Sequence, residues 1–266
     1  MHPRQSGAPQ GLRLAQPALA LKASHRRHEF VIIGIGRTIT THSSNRELPM
    51  HASRRFTFVL MLGVLCAGIT QAGELAVKIT PHLDGVDAKH MGQAVRIQRD
   101  QDQRNLIHPT YQRTSRKCPP FCIQPIRMPE GVETIGEIEM LDYVARASAG
   151  DYSVLIIDSR GAKWLQSGTI PGSVNIHYKK LSQRASTEQD IAAILLDRFD
   201  ALQSEELWNF RIARTLVLFC NGPWCGQSPT GIRALLRLGY PPSKIKWYRG
   251  GMQAWETLGL TTVTPD

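Results

Sequence analysis

The sequence lacks several features that would place it in a membrane, repeat or metal-binding class. Its longest apolar run, residues 56–69, has about 14 residues, which is too short for a comfortable membrane span. No internal repeat or low-complexity segment is evident. The histidines His82, His90 and His108 do not have the spacing of metal ligands, so we interpret them as surface residues. A globular protein remains, and the apolar fraction of 42% fits that class.

Acidic residues are scarce at the start of the chain. The formal net charge of +10 is typical of proteins that bind nucleic acid. However, residues 1–72 contain nine of the 32 basic residues and only two of the 22 acidic ones, so the remainder has a net charge of only +3. The basic excess therefore does not indicate a nucleic-acid partner.

The basic N-terminal region has a more specific interpretation. Residues 50–72 contain the basic, apolar and small-residue regions of a secretory signal peptide, with cleavage expected after Ala72. This pattern predicts a periplasmic protein that begins at Gly73 and meets the membrane only during export. Because a signal peptide begins a chain, we expect residues 1–49 to be a disordered upstream extension that the natural protein lacks. A mitochondrial-type presequence is the alternative.

The four cysteines that follow Ala72 form two close pairs. Cys118 and Cys122 are separated by Pro-Pro-Phe, while Cys220 and Cys225 lie in a glycine-rich segment. An even number of closely spaced cysteines in an oxidising compartment favours disulfides. We interpret Cys118 and Cys122 as a local bridge or a redox pair. Neither pair has the two-residue spacer typical of zinc knuckles, so zinc is the less favoured alternative, and no metal or cofactor is expected.

One cysteine lies where reactive thiols occur in α/β proteins. The apolar, β-branched run Thr215–Phe219 predicts a strand covered on both faces, and Ser228 followed by Pro229 predicts the start of a helix. Between them, Cys220 is placed near loop amides and the positive end of a helix, which lower the pKa of a thiol. Cys220 is therefore the candidate nucleophile. The alternatives are a small buried residue or a structural disulfide with Cys225.

The rest of the second half alternates between strand and helix patterns, which predicts a parallel sheet with crossover helices. The expected strands are Ser153–Ile157, Ser173–Ile176, Thr215–Phe219 and Lys246–Tyr248. One helix is expected to open at Thr134, with Glu137 completing a capping box, and another at Thr187. Before them we expect short strands at Leu75–Thr80 and Gln93–Gln98 and a polar surface loop over Gln101–Arg116.

Four motifs of this half resemble, in content and order, those of a rhodanese (sulfurtransferase) domain. They are Val154–Arg160, Trp164 with Gly168–Ile176, the cysteine loop, and Tyr248–Trp255 with Gly259. The resemblance implies an α/β fold in which helices flank a five-stranded parallel sheet and the active loop follows a central strand. It assigns residues 133–266 to this domain and leaves residues 73–132 as a small N-terminal extension of irregular and β character.

The resemblance also implies a chemistry. Cys220 would take a sulfane sulfur from thiosulfate or a persulfide and pass it to a thiol or another thiophilic acceptor. Cys225, which is not part of the family pattern, is our own candidate for a second catalytic residue. The implied substrate-binding residues are Asn221, Gly222, Trp224, Gly226, Gln227 and Ser228, together with Asp158 and Arg160. Asp158 and Arg160 are expected to border the pocket of Cys220, more as an ion pair that fixes loops than as catalytic groups.

The loop departs from the family pattern at two points. Gln227 stands where the family has an arginine, and the loop has two additional residues. The second departure is Cys225, which can close a disulfide with Cys220. One alternative is therefore a periplasmic thiol-disulfide protein that uses Cys220/Cys225 and Cys118/Cys122 with a periplasmic thiol reductant. The other is a non-catalytic rhodanese-like binding module. A cysteine phosphatase is disfavoured because it needs an arginine in the loop.

Overall fold

The computed structural model describes residues 75–128, 131–205 and 207–264. The predicted upstream extension, residues 1–49, and the predicted signal peptide, residues 50–72, lie outside these ranges. Within them, every helix is too short or too polar to cross a membrane.

Strands and short helices alternate along the described chain. The strands are β1 Gly85–His90, β2 Gln93–Gln98, β3 Glu133–Ile135, β4 Val154–Asp158, β5 Val174–Asn175, β6 Leu202–Ser204, β7 Leu207–Asn209, β8 Thr215–Phe219 and β9 Ile245–Tyr248. The helices are α1 Pro109–Gln112, α2 Glu137–Ser148, α3 Ala162–Leu165, α4 Glu188–Asp197, α5 Gln227–Arg237 and α6 Gly251–Thr257. Two 3₁₀ turns, Tyr178–Leu181 and Pro242–Lys244, complete the list.

A five-stranded parallel sheet forms the centre of the molecule, with the spatial order β3-β9-β8-β4-β5. The middle strand β8 is buried on both faces, as its unbroken apolar sequence predicts. Leu216 and Leu218 pack in one core, whereas Val217 and Phe219 pack in the other. The expected α/β fold with a five-stranded parallel sheet is confirmed.

Helices cover both faces of this sheet. On one face, Ile191 of α4 and Ile232 of α5 join the core of Leu216 and Leu218. On the other face, Leu141 of α2 and Trp255 of α6 join the core of Phe219. Since α5 follows β8 directly, its N-terminus lies at the carboxyl end of the middle strand, where ligands bind in open α/β sheets.

The N-terminal extension shares the second of these cores. Strands β1 and β2 form an antiparallel hairpin whose Ala88 and Ile97 are buried together with Leu141 and Trp255. The Thr261 amide near the end of the chain donates to the carbonyl oxygen of Gln98 at 3.0 Å. The extension is therefore packed into the folded unit rather than attached by a linker.

The prediction that a helix begins at Thr134 is wrong. Thr134 lies in β3, which pairs in parallel with β9, and Lys246 and Glu133 on these strands form an ion pair of 2.7 Å. Helix α2 begins after Gly136, whose amide donates to the Glu139 carboxylate at 3.0 Å. The long-range strand pairing outweighed the local capping pattern.

Three further boundaries differ from the sequence predictions. Residues 75–80 contain only an isolated bridge at Thr80, and the partner of β2 is β1 instead. The predicted loop Gln101–Arg116 contains the short helix α1. Helix α5 begins at Gln227, so Ser228 lies inside its first turn and is not its cap.

Candidate active site

Cys220 lies directly after β8, and the loop of residues 220–226 connects it to α5. Its side chain is buried, with 2% exposed, and its Sγ donates to the carbonyl oxygen of Cys225 at 3.4 Å. Cys220 and Cys225 are both free thiols. The structure thus places Cys220 at the strand end, beside the start of a helix, as the sequence predicts.

Helix α6 holds the cysteine loop in place. The amides of Met252 and Gln253 donate to the carbonyl oxygens of Cys220 and Asn221, each at 2.9 Å. Gly251 has a φ of +57°, and a Cβ atom at this position would overlap the carbonyl oxygen of Cys220. The glycine is therefore required for the close approach of α6 to the loop.

Hydrogen-bond donors favour the thiolate of Cys220. Burial alone would raise the pKa of this thiol, but the side chain of Cys225, the amide and hydroxyl of Ser228 and the amide of Gly222 together lower it to about 7. The buried Ser228 hydroxyl has no hydrogen-bond partner among the described residues while Cys220 is a thiol, so it is available to the thiolate. At neutral pH a substantial fraction of Cys220 is therefore ionised.

Cys225 has the opposite character. Burial and the neighbouring Cys220 thiolate raise the pKa of Cys225 far above its ordinary value. Its Sγ donates to the Gln227 side-chain oxygen at 3.6 Å and accepts from the side-chain amide Nδ2 of Asn221 at 3.8 Å. Near neutral pH the two thiols therefore lose at most one proton, and the resulting negative charge resides on Cys220.

A cavity of about 470 Å³ opens beside the loop and reaches Cys225. Its lining comes from four parts of the chain and comprises Pro120, Phe121, Lys163, Trp164, Tyr178, Asn221, Trp224, Cys225, Gly226, Gln227 and Thr230. Cys220 is not among the lining residues, so Cys225 is the cysteine of the loop that contacts the cavity. Most of the loop residues predicted to bind substrate are brought together here, whereas Gly222 and Ser228 lie against the Cys220 thiol instead.

Asp158 and Arg160 form a buried ion pair beside this site. Nη2 of Arg160 lies 2.6 Å from Oδ2 of Asp158, and both side chains are almost fully buried. Thr169 donates to the same carboxylate at 2.7 Å, while Arg160 also donates to the Tyr111 hydroxyl at 2.8 Å. The two residues do not line the cavity, so the structure places them as a loop-fixing pair and not in direct contact with a ligand there.

The N-terminal extension contributes a wall to the site. Cys118 and Cys122 form a disulfide with Cα atoms 4.6 Å apart. We call residues 116–124, which contain this bridge, the strap. Within it, Phe121 packs edge-on against Trp224, with ring centroids 5.6 Å apart, and the Gln124 amide donates to the Pro223 carbonyl oxygen at 2.8 Å.

Sequence reasoning missed Phe121, Lys163 and Tyr178 as lining residues. Lys163 lies on α3, close after Arg160, and supplies a positive charge that the cysteine loop lacks. Nothing in the sequence around Lys163 identifies it as a site residue. Phe121 lies about 100 residues before the loop, so only the tertiary fold reveals the contact. Within the described ranges, no group of three or more His, Cys, Asp or Glu residues is arranged to hold a metal ion.

Comparisons with known proteins give one family. Residues 141–258 match the rhodanese-like domain. No curated protein is significantly similar to the chain. Solved structures with a similar fold include the human single-domain sulfurtransferase, which is 23% identical, with 47% of this chain and 96% of that chain covered and a TM-score of 0.31.

Two longer proteins are matched over part of their length. The thiosulfate sulfurtransferase from Pseudomonas aeruginosa is 20% identical, with 49% of this chain and 20% of that chain covered and a TM-score of 0.34. The 3-mercaptopyruvate sulfotransferase from Escherichia coli is 21% identical, with 46% and 43% covered and a TM-score of 0.32. Residues 141–258 of this chain therefore form a rhodanese-like domain, with Cys220 in the loop that follows the middle strand of the observed sheet.

Proposed function

We propose that this protein is a sulfurtransferase that moves a sulfane sulfur through a persulfide on Cys220 to a thiol or another thiophilic acceptor. The observation that carries the proposal is the position of the Cys220 thiol after β8, where donors from Gly222 and Ser228 lower its pKa to about 7. A buried thiol without such donors would stay protonated and inert. The rhodanese-like domain supports the same activity.

The first step is an attack by the Cys220 thiolate on the outer sulfur of thiosulfate or of a persulfide. The sulfur–sulfur bond of the donor breaks, and its electron pair leaves with sulfite or with a thiolate. The terminal sulfur now carries the negative charge. The donors from Gly222 and Ser228 that stabilise the thiolate lie closest to this charge and stabilise it by hydrogen bonds.

The second step returns the enzyme to its starting state. An acceptor thiolate attacks the terminal sulfur of the Cys220 persulfide, and the bond between the two sulfurs breaks. The electron pair of that bond remains on Cys220, which is a thiolate again. No cofactor takes part in either step.

Mass spectrometry of the purified protein after exposure to thiosulfate or polysulfide tests this proposal. We expect a mass gain of one sulfur on Cys220, its loss in Cys220→Ser, and its retention in Cys225→Ser. If Cys225→Ser alone abolished the gain, Cys225 would be the nucleophile. No gain with either donor would favour a non-catalytic binding module.

A redox function of the two thiols is the second candidate, because Cys225 lines the cavity and lies beside Cys220. Cys225 would attack the inner sulfur of a Cys220 persulfide. A disulfide forms between the two cysteines, and the terminal sulfur leaves as hydrosulfide with the proton of Cys225. A thiol reductant of the periplasm would then restore both thiols.

Reductant dependence separates the two candidates. If the disulfide forms, sulfur transfer should be low in protein purified without reductant and should rise on mild reduction. Cys225→Ser should depend less on reductant, since it cannot close the bridge. Equal activity before and after reduction, with two free thiols counted at these positions in both samples, would contradict the redox function.

A further inference from the structure

We propose that the cavity beside Cys225 is a subsite for an organic sulfur donor that combines an apolar body with an anionic group, and that Phe121 and Lys163 select it. This inference names the substrate class of the proposed sulfurtransferase and rests on that function for its catalytic test. It also makes a prediction about binding that holds without any sulfur transfer.

The size of the cavity favours a donor larger than thiosulfate. Its volume of about 470 Å³ lies within the range of roughly 300–1,000 Å³ that is usual for small-molecule sites. At about 30 Å³ for each water, it corresponds to roughly 16 water molecules. The five non-hydrogen atoms of thiosulfate would leave most of this volume to solvent, so the cavity has room for a larger, organic donor.

The walls of the cavity are aromatic. Phe121 of the strap, Trp164 of α3, Tyr178 and Trp224 all line it. The Trp224 ring centroid lies 5.6 Å from that of Phe121 and 6.1 Å from that of Trp164, so these three rings form one continuous surface. Aromatic surfaces favour an apolar or planar body through area burial and ring contacts.

The strap holds Phe121 in this surface. The disulfide between Cys118 and Cys122 encloses Phe121 in a short covalent loop. The Gln124 amide, just beyond the bridge, donates to the Pro223 carbonyl oxygen, and Arg249 donates to the Gln124 carbonyl oxygen at 2.8 Å. The strap is therefore tied to the cysteine loop through Pro223 and to the end of β9 through Arg249.

The charge around the cavity is positive. Lys163 lines it, no Asp or Glu does, and no described carboxylate forms an ion pair with Lys163. Arg116 does not line the cavity, but its guanidinium stacks 4.3 Å from the centroid of the lining Trp224 ring, and its Nε is buried without a hydrogen-bond partner among the described residues. These two cations favour an anionic group on the donor, such as a carboxylate or sulfonyl group.

Two thiosulfonates that differ only in the organic group on the sulfonyl sulfur, phenyl or methyl, test the proposal. Benzenethiosulfonate and methanethiosulfonate react in the same way: the Cys220 thiolate attacks the terminal sulfur, and the sulfur–sulfur bond breaks with its electron pair leaving on the sulfinate. The rate constant for loading Cys220 with sulfur is measured for each donor by quenched-flow mass spectrometry. It is then divided by the rate constant of the same donor with free cysteine. This ratio removes the intrinsic reactivity of the donors.

We expect the protein to favour benzenethiosulfonate over methanethiosulfonate by at least about tenfold, as burial of an aromatic ring implies. Phe121→Ala should remove most of this preference by slowing benzenethiosulfonate more than methanethiosulfonate. Lys163→Gln should slow both donors by a similar factor. Ile123→Ala is the matched control, because Ile123 lies on the same strap but is 82% exposed and does not line the cavity. An unchanged preference in Phe121→Ala would overturn the proposal.

Binding to Cys220→Ser separates this inference from the proposed function. The sulfinate products cannot transfer sulfur, and their binding is measured by calorimetry and by quenching of tryptophan fluorescence. Benzenesulfinate should bind more tightly than methanesulfinate, and Phe121→Ala should abolish the difference. Equal affinities would overturn the subsite. Tight, Phe121-dependent binding without any sulfur loading in the wild type would support the subsite and overturn the sulfurtransferase.

Discussion

At the scale of single residues, the two thiols of the cysteine loop have the same covalent chemistry but different surroundings. Cys220 is met by the donors of Gly222 and Ser228, whereas Cys225 faces the Gln227 side-chain oxygen, which accepts a hydrogen bond and thus favours the thiol. The sequence marks Cys220 by its place after a strand. It cannot give the protonation of the pair, because that depends on which groups the folded loop turns inward.

This arrangement predicts the pH dependence of Cys220. Its pKa is lowered to about 7, so the reactive thiolate is present above that pH and is lost as the pH falls through it. The rate of alkylation by iodoacetamide, with the modified cysteine identified by mass spectrometry, should rise with a midpoint near pH 7 and then level off. Cys225→Ala should move the midpoint upward, because the thiol donor is lost, while Cys225→Ser should move it less. A wild-type midpoint near 8.5, the value of an ordinary cysteine, would contradict this account.

At the scale of elements, local signals predicted the structure where nothing distant competed with them. Strand β8 was predicted over its full length, because an apolar run without alternation is specific for a strand covered on both faces. Helix α4 was predicted to open at Thr187, which caps it. The prediction at Thr134 was wrong because pairing of β3 with β9, more than 100 residues later, decides the conformation there. Such pairing leaves no trace in the local sequence.

The cap of α4 gives a quantitative test. The hydroxyl oxygen of Thr187 accepts from the Asp190 amide at 3.1 Å, and the Asp190 carboxylate accepts from the Thr187 amide at 3.3 Å. Thr187→Ala should lower the free energy of unfolding by about 1 kcal/mol, measured by urea denaturation, since one amide of the first turn loses its acceptor. Thr187→Ser keeps the hydroxyl and should lose much less. Equal losses in the two variants would show that the hydroxyl does not act as the cap.

At the scale of the whole molecule, the N-terminal extension was the least predictable part. Its sequence indicates short strands and a polar loop, but its contacts join residues far apart along the chain. Tyr111 reaches Arg160, and Phe121 reaches Trp224. The sequence therefore identifies the cysteine loop as a site and gives no sign that the extension forms its wall.

Export is a proposal at the same scale, based on the basic, apolar and small-residue order of residues 50–72. Expression from Met50 in a bacterium with a periplasm should yield a periplasmic product whose first residue is Gly73. N-terminal sequencing of the fractionated protein measures this. A membrane-bound product that keeps residues 50–72 would contradict it.

The junction between extension and domain is tested at Tyr111. Its hydroxyl accepts from Nη1 of Arg160 at 2.8 Å, and burial raises the pKa of Tyr111 to about 12, so it remains neutral over the physiological range. Tyr111→Phe leaves one buried N–H of Arg160 without its acceptor, a loss of about 1–3 kcal/mol in the free energy of unfolding. Tyr152→Phe is the matched control, since Tyr152 is 79% exposed and should change little.

The shape of the unfolding curve carries the second half of this prediction. Because Ala88, Ile97 and Tyr111 of the extension share a core with α2 and α6, the extension and the domain should unfold in one transition. Tyr111→Phe should shift that transition to lower urea without splitting it, whether it is followed by circular dichroism or by tryptophan fluorescence. Two separate transitions would show that the extension folds apart from the domain. The strap could then not hold Phe121 against Trp224 as a fixed wall of the site.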